Sequence, residues 1–168
     1  MVIKYVGKLS LKYKIYNMIT IEDFKIKHSN KVRFIGLDLG SKRIGVSICD
    51  ERQSIATPFK TLKKTNTNEL IDELKIIIKE NNIGGIIVGN PVNMDGSLGR
   101  SAQSVNDVTS NISKSIDLPV ILWDERLSTV GAFNLSSLLD VNVSKRVKTI
   151  DQNAAAFILQ GAIDFLNN

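Results

Sequence analysis

The chain has 168 residues, of which 43% are hydrophobic and 23% are charged, and its formal net charge is +5. This length supports one domain with a proper core rather than two. The single cysteine and the single histidine exclude an internal disulfide framework and argue against a Cys/His metal site or a His-based catalytic triad. No apolar run approaches the roughly 20 residues that span a bilayer, and the N-terminus does not resemble a secretory signal. We therefore expect a cytoplasmic protein with no membrane partner.

The positive charge is concentrated near the N-terminus. Residues 1–33 carry eight basic and two acidic side chains, whereas the remainder carries 14 basic and 15 acidic ones. The net charge is therefore weak evidence about what the body of the protein binds. We treat residues 1–30 as a basic N-terminal extension and residues 31–168 as the domain. Met18 begins a second candidate start, MITIEDF, so residues 1–17 are either a genuine basic tail or an over-extended reading frame.

The first half of the body predicts three strands, a helix and a fourth strand. Apolar runs at 33–39 and 44–49 predict strands joined by the turn GSKR, and SIAT at 54–57 predicts a third strand that ends before Pro58. The segment NELIDELKIIIKE has apolar residues at helical spacing, and GGIIVG at 84–89 reads as a short buried strand.

The second half predicts one further helical crossover, a fifth strand and two more helices. A helix that buries Ala102 and Ile112 ends before Pro119, VILW at 120–123 predicts a strand, and a helix begins near Ser128 or Thr129. The stretch 140–149 has no usable periodicity and reads as a loop, and an Ala-rich helix runs from about Ile150 to Leu166. This order predicts an α/β domain with a mixed five-stranded sheet, in which the first three strands are antiparallel and the later two are parallel.

Carboxylates fall at the ends of these elements. Asp38 ends the first strand inside an apolar run, where an unpaired charge is costly. Asp124 and Glu125 follow the last strand, and Asp151 falls in the first turn of the final helix. Gathered at one sheet edge, such side chains would form a site for Mg²⁺ or Mn²⁺, which prefer oxygen ligands. Two such ions can activate a water and stabilise the leaving oxygen of a phosphodiester.

These acidic residues also have plain structural interpretations. An Asp in the first turn of a helix, as expected for Asp151, is favoured by capping and by the helix macrodipole. The segment DER at 124–126 fits a strand-to-helix turn with solvated charges. For Asp38 the structural interpretation is weaker, because an idle carboxylate in an apolar setting is destabilising.

Basic and Gly-rich segments lie near the carboxylates and predict contacts with nucleic acid, although each also fits a solvated surface. The basic candidates are Lys42, Arg43, Arg126, Lys145, Arg146 and Lys148. The Gly-rich segment GNPVNMDGSLGR precedes a helix, so its amides either cradle a phosphate or form an ordinary turn. Within it, Asp95 is either a further acidic neighbour or a turn former.

Four motifs taken together resemble the YqgF (RuvX) family over about residues 33–168: GLDLGSKRIGVSICD, IIVGNPVNMDGSLGRSAQ, DERLST and DQNAAAFILQGAIDFL. The resemblance implies a ribonuclease H-like fold and a nuclease. By position it implies Asp38, Glu125 and Asp151 as the catalytic, metal-binding carboxylates, with Asp124 as the alternative for the middle position. Asn90 departs from the family's pattern without disturbing these acids.

The leading hypothesis is a Mg²⁺- or Mn²⁺-dependent hydrolase of phosphodiester bonds in structured nucleic acid. The resemblance implies RNA as the partner, in processing of the 5′ end of pre-16S rRNA during ribosome biogenesis, or branched DNA, in Holliday junction resolution. Resolution would require a symmetric dimer with two sites, and the sequence leaves monomer and homodimer open. A non-catalytic nucleic-acid-binding module is the further alternative.

Overall fold

The computed structural model describes residues 18–27, 32–93, 95–97, 99–125 and 143–168, without the side chains of 26–27 and 143–152. The helices in this part of the chain are α1 (Ile21–Lys27), α2 (Thr67–Asn81), α3 (Arg100–Ser115) and α4 (Val143–Asn167). The strands are β1 (Arg33–Leu39), β2 (Arg43–Cys49), β3 (Ala56–Lys63), β4 (Ile83–Asn90) and β5 (Val120–Asp124). The helix expected from Ser128 or Thr129 lies outside the described residues.

The five strands form one mixed sheet in the order β3-β2-β1-β4-β5. β1 pairs with β2, and β2 with β3, in antiparallel fashion, whereas β1 pairs with β4, and β4 with β5, in parallel. The predicted architecture is therefore confirmed. Because β1, β4 and β5 run in the same direction, their carboxyl ends meet at one edge of the sheet. Asp38 and Asp124 lie at that edge.

The third strand differs from its prediction. It begins at Ala56 and continues through Pro58 as far as Lys63, whereas a strand that ended before Pro58 was expected. Proline is tolerated here because β3 is an edge strand, where a missing N–H need not break a ladder. The pairing register also shifts between Val46 and Ser47 on the neighbouring strand, where Pro58 pairs.

The last helix also differs from its prediction. α4 begins at Val143, so the expectation of a loop over 140–149 is wrong from residue 143 onward. The stretch VSKRVKTI contains neither glycine nor proline, so nothing in it stops the helix that the following Ala-rich segment favours. Asp151 is the ninth residue of α4. The capping and macrodipole explanation for this residue therefore does not apply, since both effects act within the first turn.

Helices cover both faces of the sheet. α2 and α3 pack on the face that carries Ile35 and Leu37. α1 and α4 pack on the opposite face, which carries Phe34 and Ile87 and which we call the α4 face. β1 alternates strictly between these two environments, as a strand buried on both sides must.

The segment from Met18 onward contacts the sheet. The Ile19 amide donates to the Val120 carbonyl at 3.1 Å, and Phe24 is fully buried with its ring centroid 5.0 Å from that of Phe34. The division of the chain at residue 31 stays a prediction. None of the helices in the described part of the chain is long and apolar enough to cross a membrane.

Helix α4 lies unusually close to the sheet at Gly36. A Cβ added to Gly36 would lie 2.5 Å from Ser47 Oγ and 2.7 Å from Leu159 Cβ. The Ser47 hydroxyl donates a hydrogen bond of 2.7 Å to the Ala155 carbonyl, which joins β2 directly to the helix. Only glycine leaves room for this approach, so Gly36 sets the height of α4 above the sheet.

The direction of α4 follows from its C-terminal contacts. Asn167 Nδ2 donates to the Gln53 carbonyl at 2.8 Å, and Gln53 Nε2 donates to the Val32 carbonyl just before β1. The C-terminal end of α4 therefore lies where β1 begins. The part of α4 before Ala155 extends towards the opposite edge, where Asp38 lies.

We expect Gly36→Ala to lower the free energy of unfolding by about 1–3 kcal/mol, because the added methyl group forces α4 away from the sheet. The control is Gly99→Ala, whose Cβ would meet only the Asn93 side chain at 3.5 Å or more. Its cost should stay below about 1 kcal/mol, as expected for a helix N-cap. Urea unfolding of both variants checks this. Equally small decreases in the free energy of unfolding for both variants would show that α4 does not pack closely on Gly36.

Candidate active site at the carboxyl edge of the sheet

Asp38 lies on the α4 face of the central strand. Phe34 belongs to the core on that face, whereas Ile35 and Leu37 belong to the core on the other. Alternation along β1 therefore places Asp38 on the same face as Phe34 and Gly36. The residue is half-buried and is the last but one of the strand. A central strand paired on both sides holds it rigidly at the edge.

Glu125 follows β5 directly, and its carboxylate extends over the neighbouring strand. A Cβ added to Gly89 on β4 would lie 2.6 Å from Glu125 Oε1 and would also collide with Ile158 of α4. Leu37 and Val88 are Cα partners, so Gly89 lies level with Asp38 on the adjacent strand. The carboxylate of Glu125 therefore occupies the space that a side chain on Gly89 would fill, beside β1.

The electrostatics of Glu125 show that the carboxylates interact. Burial is the largest cause that raises the pKa of Glu125 above its ordinary value, and the negative charges of Asp38 and Asp124 raise the pKa further. Within the part of the chain that the structure describes, Glu125 has no ion-pair partner. The site therefore concentrates negative charge in a half-buried setting.

Asp124 ends β5 as the Cα partner of Asn90. Trp123 lies in the core of the α4 face, so alternation places Asp124 on the opposite face and Glu125 back on the α4 face. The Oδ1 atom of Asn90 is buried and has no hydrogen-bond partner among the described residues. Sequence reasoning missed the role of Gly89; the short "VGN" segment at the end of a strand was the only signal available.

Asp151 lies in α4, one helical turn before Ala155 and on the same side of the helix. Its backbone belongs to the part of α4 that extends towards Asp38, and its side chain is not described. Among the side chains that the structure does describe, no three His, Cys, Asp or Glu residues form a group that could hold a metal ion. The described side chains thus bring Asp38 and Glu125 together, and the position of the Asp151 carboxylate stays a prediction.

The predicted basic residues fall into three groups. Lys42 lies in the turn that follows β1 and is exposed, whereas Arg43 is the first residue of β2 and is half-buried. Arg126 lies outside the described residues. The remaining three lie in the first turns of α4 rather than in a loop, and their side chains are not described: Lys145, Arg146 and Lys148.

The Gly-rich segment before α3 is closed by its own hydrogen bonds. The Asn93 amide donates to the Ser97 carbonyl at 3.1 Å, and Asp95 Oδ1 accepts from both the amide and the hydroxyl of Ser97. Asp95 therefore acts as a turn former. The predicted phosphate cradle at this segment stays a prediction.

Comparison with known proteins bears on this arrangement. The family model described as RuvX: Holliday junction resolvase matches residues 32–165. The chain belongs to the RuvX family.

A protein of Pelagibacter ubique (strain HTCC1062) named "Putative pre-16S rRNA nuclease" is 97% identical over 151 residues, which are 90% of this chain and 100% of that protein. A protein of Cereibacter sphaeroides with the same name is 42% identical over 148 residues, 88% of this chain and 92% of that one. The predicted family is confirmed.

The fold is similar to that of a resolvase. The structure of Thermus thermophilus RuvC in complex with Holliday junction substrate superposes with a TM-score of 0.51 at 11% identity, covering 77% of this chain and 91% of that one. At this identity the likeness concerns the fold alone, and it confirms the predicted ribonuclease H-like class. The expected enzyme class, a hydrolase acting on phosphodiester bonds, agrees with the names of the RuvX relatives.

We expect Glu125→Gln to stabilise the metal-free protein at neutral pH. Because folding raises the pKa of Glu125, the folded state binds this proton more tightly than the unfolded chain does. That stabilisation is fully present below the ordinary carboxyl pKa and is lost as pH rises through the raised pKa. In chelator, the variant should therefore melt higher than the unaltered protein at about pH 7 but not at about pH 4.

Thermal unfolding across this pH range measures the difference. Glu80→Gln, which removes an exposed carboxylate of α2, serves as the control for the general effect of one charge. A constant difference between Glu125→Gln and the unaltered protein at every pH would contradict the electrostatic account of the site.

Proposed function

We propose that the protein is a divalent-metal-dependent nuclease of the cytoplasm that hydrolyses phosphodiester bonds in the processing of the 5′ end of pre-16S rRNA. The observation that carries the proposal is the Glu125 carboxylate, which crosses Gly89 to lie beside Asp38. Two half-buried carboxylates on a rigid sheet edge are unfavourable by themselves, since burial and the charge of Asp38 disfavour ionisation of Glu125. A bound cation removes that cost.

The donor set fits a hard cation. Carboxylate oxygens are the ligands that Mg²⁺ and Mn²⁺ prefer, and two or three suffice because these ions keep several waters. When bound, such an ion supplies an activated water and stabilises charge on the phosphate. We propose Asp38, Glu125 and Asp151 as the ligands. Of the two candidates for the middle position, Glu125 is favoured over Asp124 because alternation places only Glu125 on the face of Asp38.

The surrounding residues hold the two carboxylates in place. Pairing with Gly45 of β2 fixes the backbone of Asp38, and the preceding Leu37 pairs with β4. Ile158 of α4 packs against Gly89 beside the Glu125 carboxylate. Burial is the leading cause that raises the pKa of Glu125, and Ile158 is an apolar neighbour on that side of the carboxylate. The opposite side of the carboxylates, at the edge of the sheet, is where substrate would approach.

The substrate class follows from the relatives. Proteins 97% and 42% identical to this chain are named for pre-16S rRNA, so a precursor of ribosomal RNA is the proposed partner. The description of the family model, Holliday junction resolvase, supports branched DNA as the second candidate. That activity would require a homodimer that presents two sites to one junction.

We expect cleavage of a labelled pre-16S rRNA fragment in Mg²⁺ or Mn²⁺, none in chelator, and a loss of more than about 100-fold in Asp38→Asn, which exceeds the effect of altering residues around a metal site. Asp72→Asn, an exposed acid of α2, should retain full activity. A four-way DNA junction is tested in parallel under the same conditions.

The outcomes separate the candidates. Cleavage of the junction alone would favour resolution. Tight binding of either substrate without cleavage under any metal would favour a non-catalytic binding module. Cleavage that persists in Asp38→Asn would show that the site is assigned wrongly.

We further propose that the N-terminal turns of α4 contact the phosphate backbone through Lys145, Arg146 and Lys148. Replacing all three by Ala should make the dependence of binding on salt less steep, by about 0.7–0.9 in log K against log salt for each phosphate that is no longer bound. The exposed pair Lys75→Ala and Lys79→Ala on α2 is the control. Equilibrium binding over a salt series measures the slope. An unchanged slope would show that these residues are solvated and do not contact the phosphate backbone.

A further inference from the structure

Two lysines that the sequence did not single out, Lys63 and Lys64, lie next to the turn that follows Asp38. Lys63 is the Cα partner of Arg43. The Lys64 amide donates to the Lys42 carbonyl at 3.1 Å. Two adjacent pairs of residues, Lys42 with Arg43 and Lys63 with Lys64, therefore form one cluster, which we call the basic edge.

The basic edge is held in a defined position relative to the carboxylates. Lys64 Nζ donates to the Gly40 carbonyl at 3.3 Å, two residues beyond Asp38. This contact and the backbone bond to Lys42 fasten the end of β3 to the turn. The turn itself is short, because only Gly40, Ser41 and Lys42 separate the two strands. The basic edge thus moves with the site and does not lie on an independent loop.

Part of the basic edge shares the face of the carboxylates. Asp38, Gly45 and Thr61 are successive Cα partners across β1, β2 and β3, so they point to one face. Arg43 and Lys63 form the next pair on that same face, two residues further along. From the spacing of strands and residues in a sheet, the Cα atoms of Asp38 and Lys63 are roughly 12 Å apart. A nucleic-acid strand that reaches Asp38 from the β3 side would pass over Lys63.

The two exposed lysines of the basic edge are not neutralised by the described residues around them. Elsewhere on the sheet, Lys60 pairs with Glu73 at 3.4 Å and Arg33 with Glu51 at 3.3 Å. Lys42 and Lys63 are exposed and form no such ion pair within the described part of the chain. The acids of the β2–β3 hairpin, Asp50 and Glu51, lie at its other end.

We propose that the basic edge binds the phosphodiester backbone of the substrate strand on the β3 side of Asp38. Lysines on a strand end present point charges to phosphates without reading bases, so the contact fixes the register of the strand and not its sequence. The inference rests on the proposed nuclease function, because it takes the bond to be cleaved to lie at the carboxylates. It adds Lys63 to the surface that holds substrate, with Lys64 beside it at the turn.

The test measures binding in chelator, and cleavage of the same fragment by each variant is measured separately in Mg²⁺ or Mn²⁺. The full chain is titrated onto a labelled pre-16S rRNA fragment in chelator over a salt series, with Lys63→Gln, with the double variant Lys63→Gln/Lys64→Gln, and with the control Lys60→Gln. Lys60 lies on the same strand but is paired with Glu73 on α2. Each lysine removed from the phosphate backbone should weaken binding about 5-fold near 0.1 M salt. It should also make the fall of log K with log salt less steep by about 0.7. Lys60→Gln should leave both unchanged.

Lys64 and not Lys63 contacts Gly40. If the double variant disturbs the turn, the single variant Lys63→Gln therefore still tests the phosphate contact. Thermal unfolding verifies that each variant is folded. Reduced affinity and slope in the lysine variants, with the control unaffected, supports the basic edge even if no metal produces cleavage, in which case the nuclease function fails alone. An unaltered slope in Lys63→Gln, with cleavage intact, overturns the basic edge and leaves the nuclease function standing.

Discussion

Helix α4 lies so close to the sheet that neither Gly36 nor Gly89 has room for a side chain. At Gly36 the space is taken by Ser47 and α4, and at Gly89 it is shared by Ile158 and the carboxylate of Glu125. The seating of α4 and the position of Glu125 therefore depend on the same feature of the sheet. A larger residue at either glycine would displace the helix, the carboxylate, or both, since packed interiors accommodate added volume only at a cost.

Negative and positive side chains lie at different places along the carboxyl edge of the sheet. Asp38 and Glu125 concentrate negative charge on the β1–β4 side, whereas the basic edge beside the ends of β2 and β3 carries positive charge. A catalyst of phosphodiester hydrolysis needs both signs, because it must hold cations at the reacting phosphate and attract the polyanion that carries that phosphate. Strand pairing fixes the two regions at separate places along this edge.

Membership of the RuvX family rests on the match over residues 32–165 and on relatives of high identity. The likeness to Thermus thermophilus RuvC at 11% identity shows how far sequences diverge within one fold. Because one fold hosts many functions, the proposed activity is carried by Asp38 and Glu125, and the fold contributes the rigid edge on which they meet.

The sequence by itself determined the order of the five strands, the two helices between β3 and β5, the mixed sheet and the residues at the strand ends, whereas it did not predict α1 or the start of α4. The apolar run of β1 and the helical spacing in α2 are local patterns, and Asn66 caps α2 through its own side chain, which accepts from the Glu69 amide at 3.0 Å. The acidic positions Asp38 and Glu125 followed from these patterns together with the family motifs.

Only the tertiary structure decided the features that join residues far apart in the chain. β3 continues through Pro58 because it lies at the sheet edge. Gly89 admits the carboxylate of Glu125, 36 positions away in the sequence. Lys63 shares the face of Asp38 because β2 pairs with both of their strands and sets the register between them. Local propensity contains no information on such contacts, since they arise from strand pairing and helix packing.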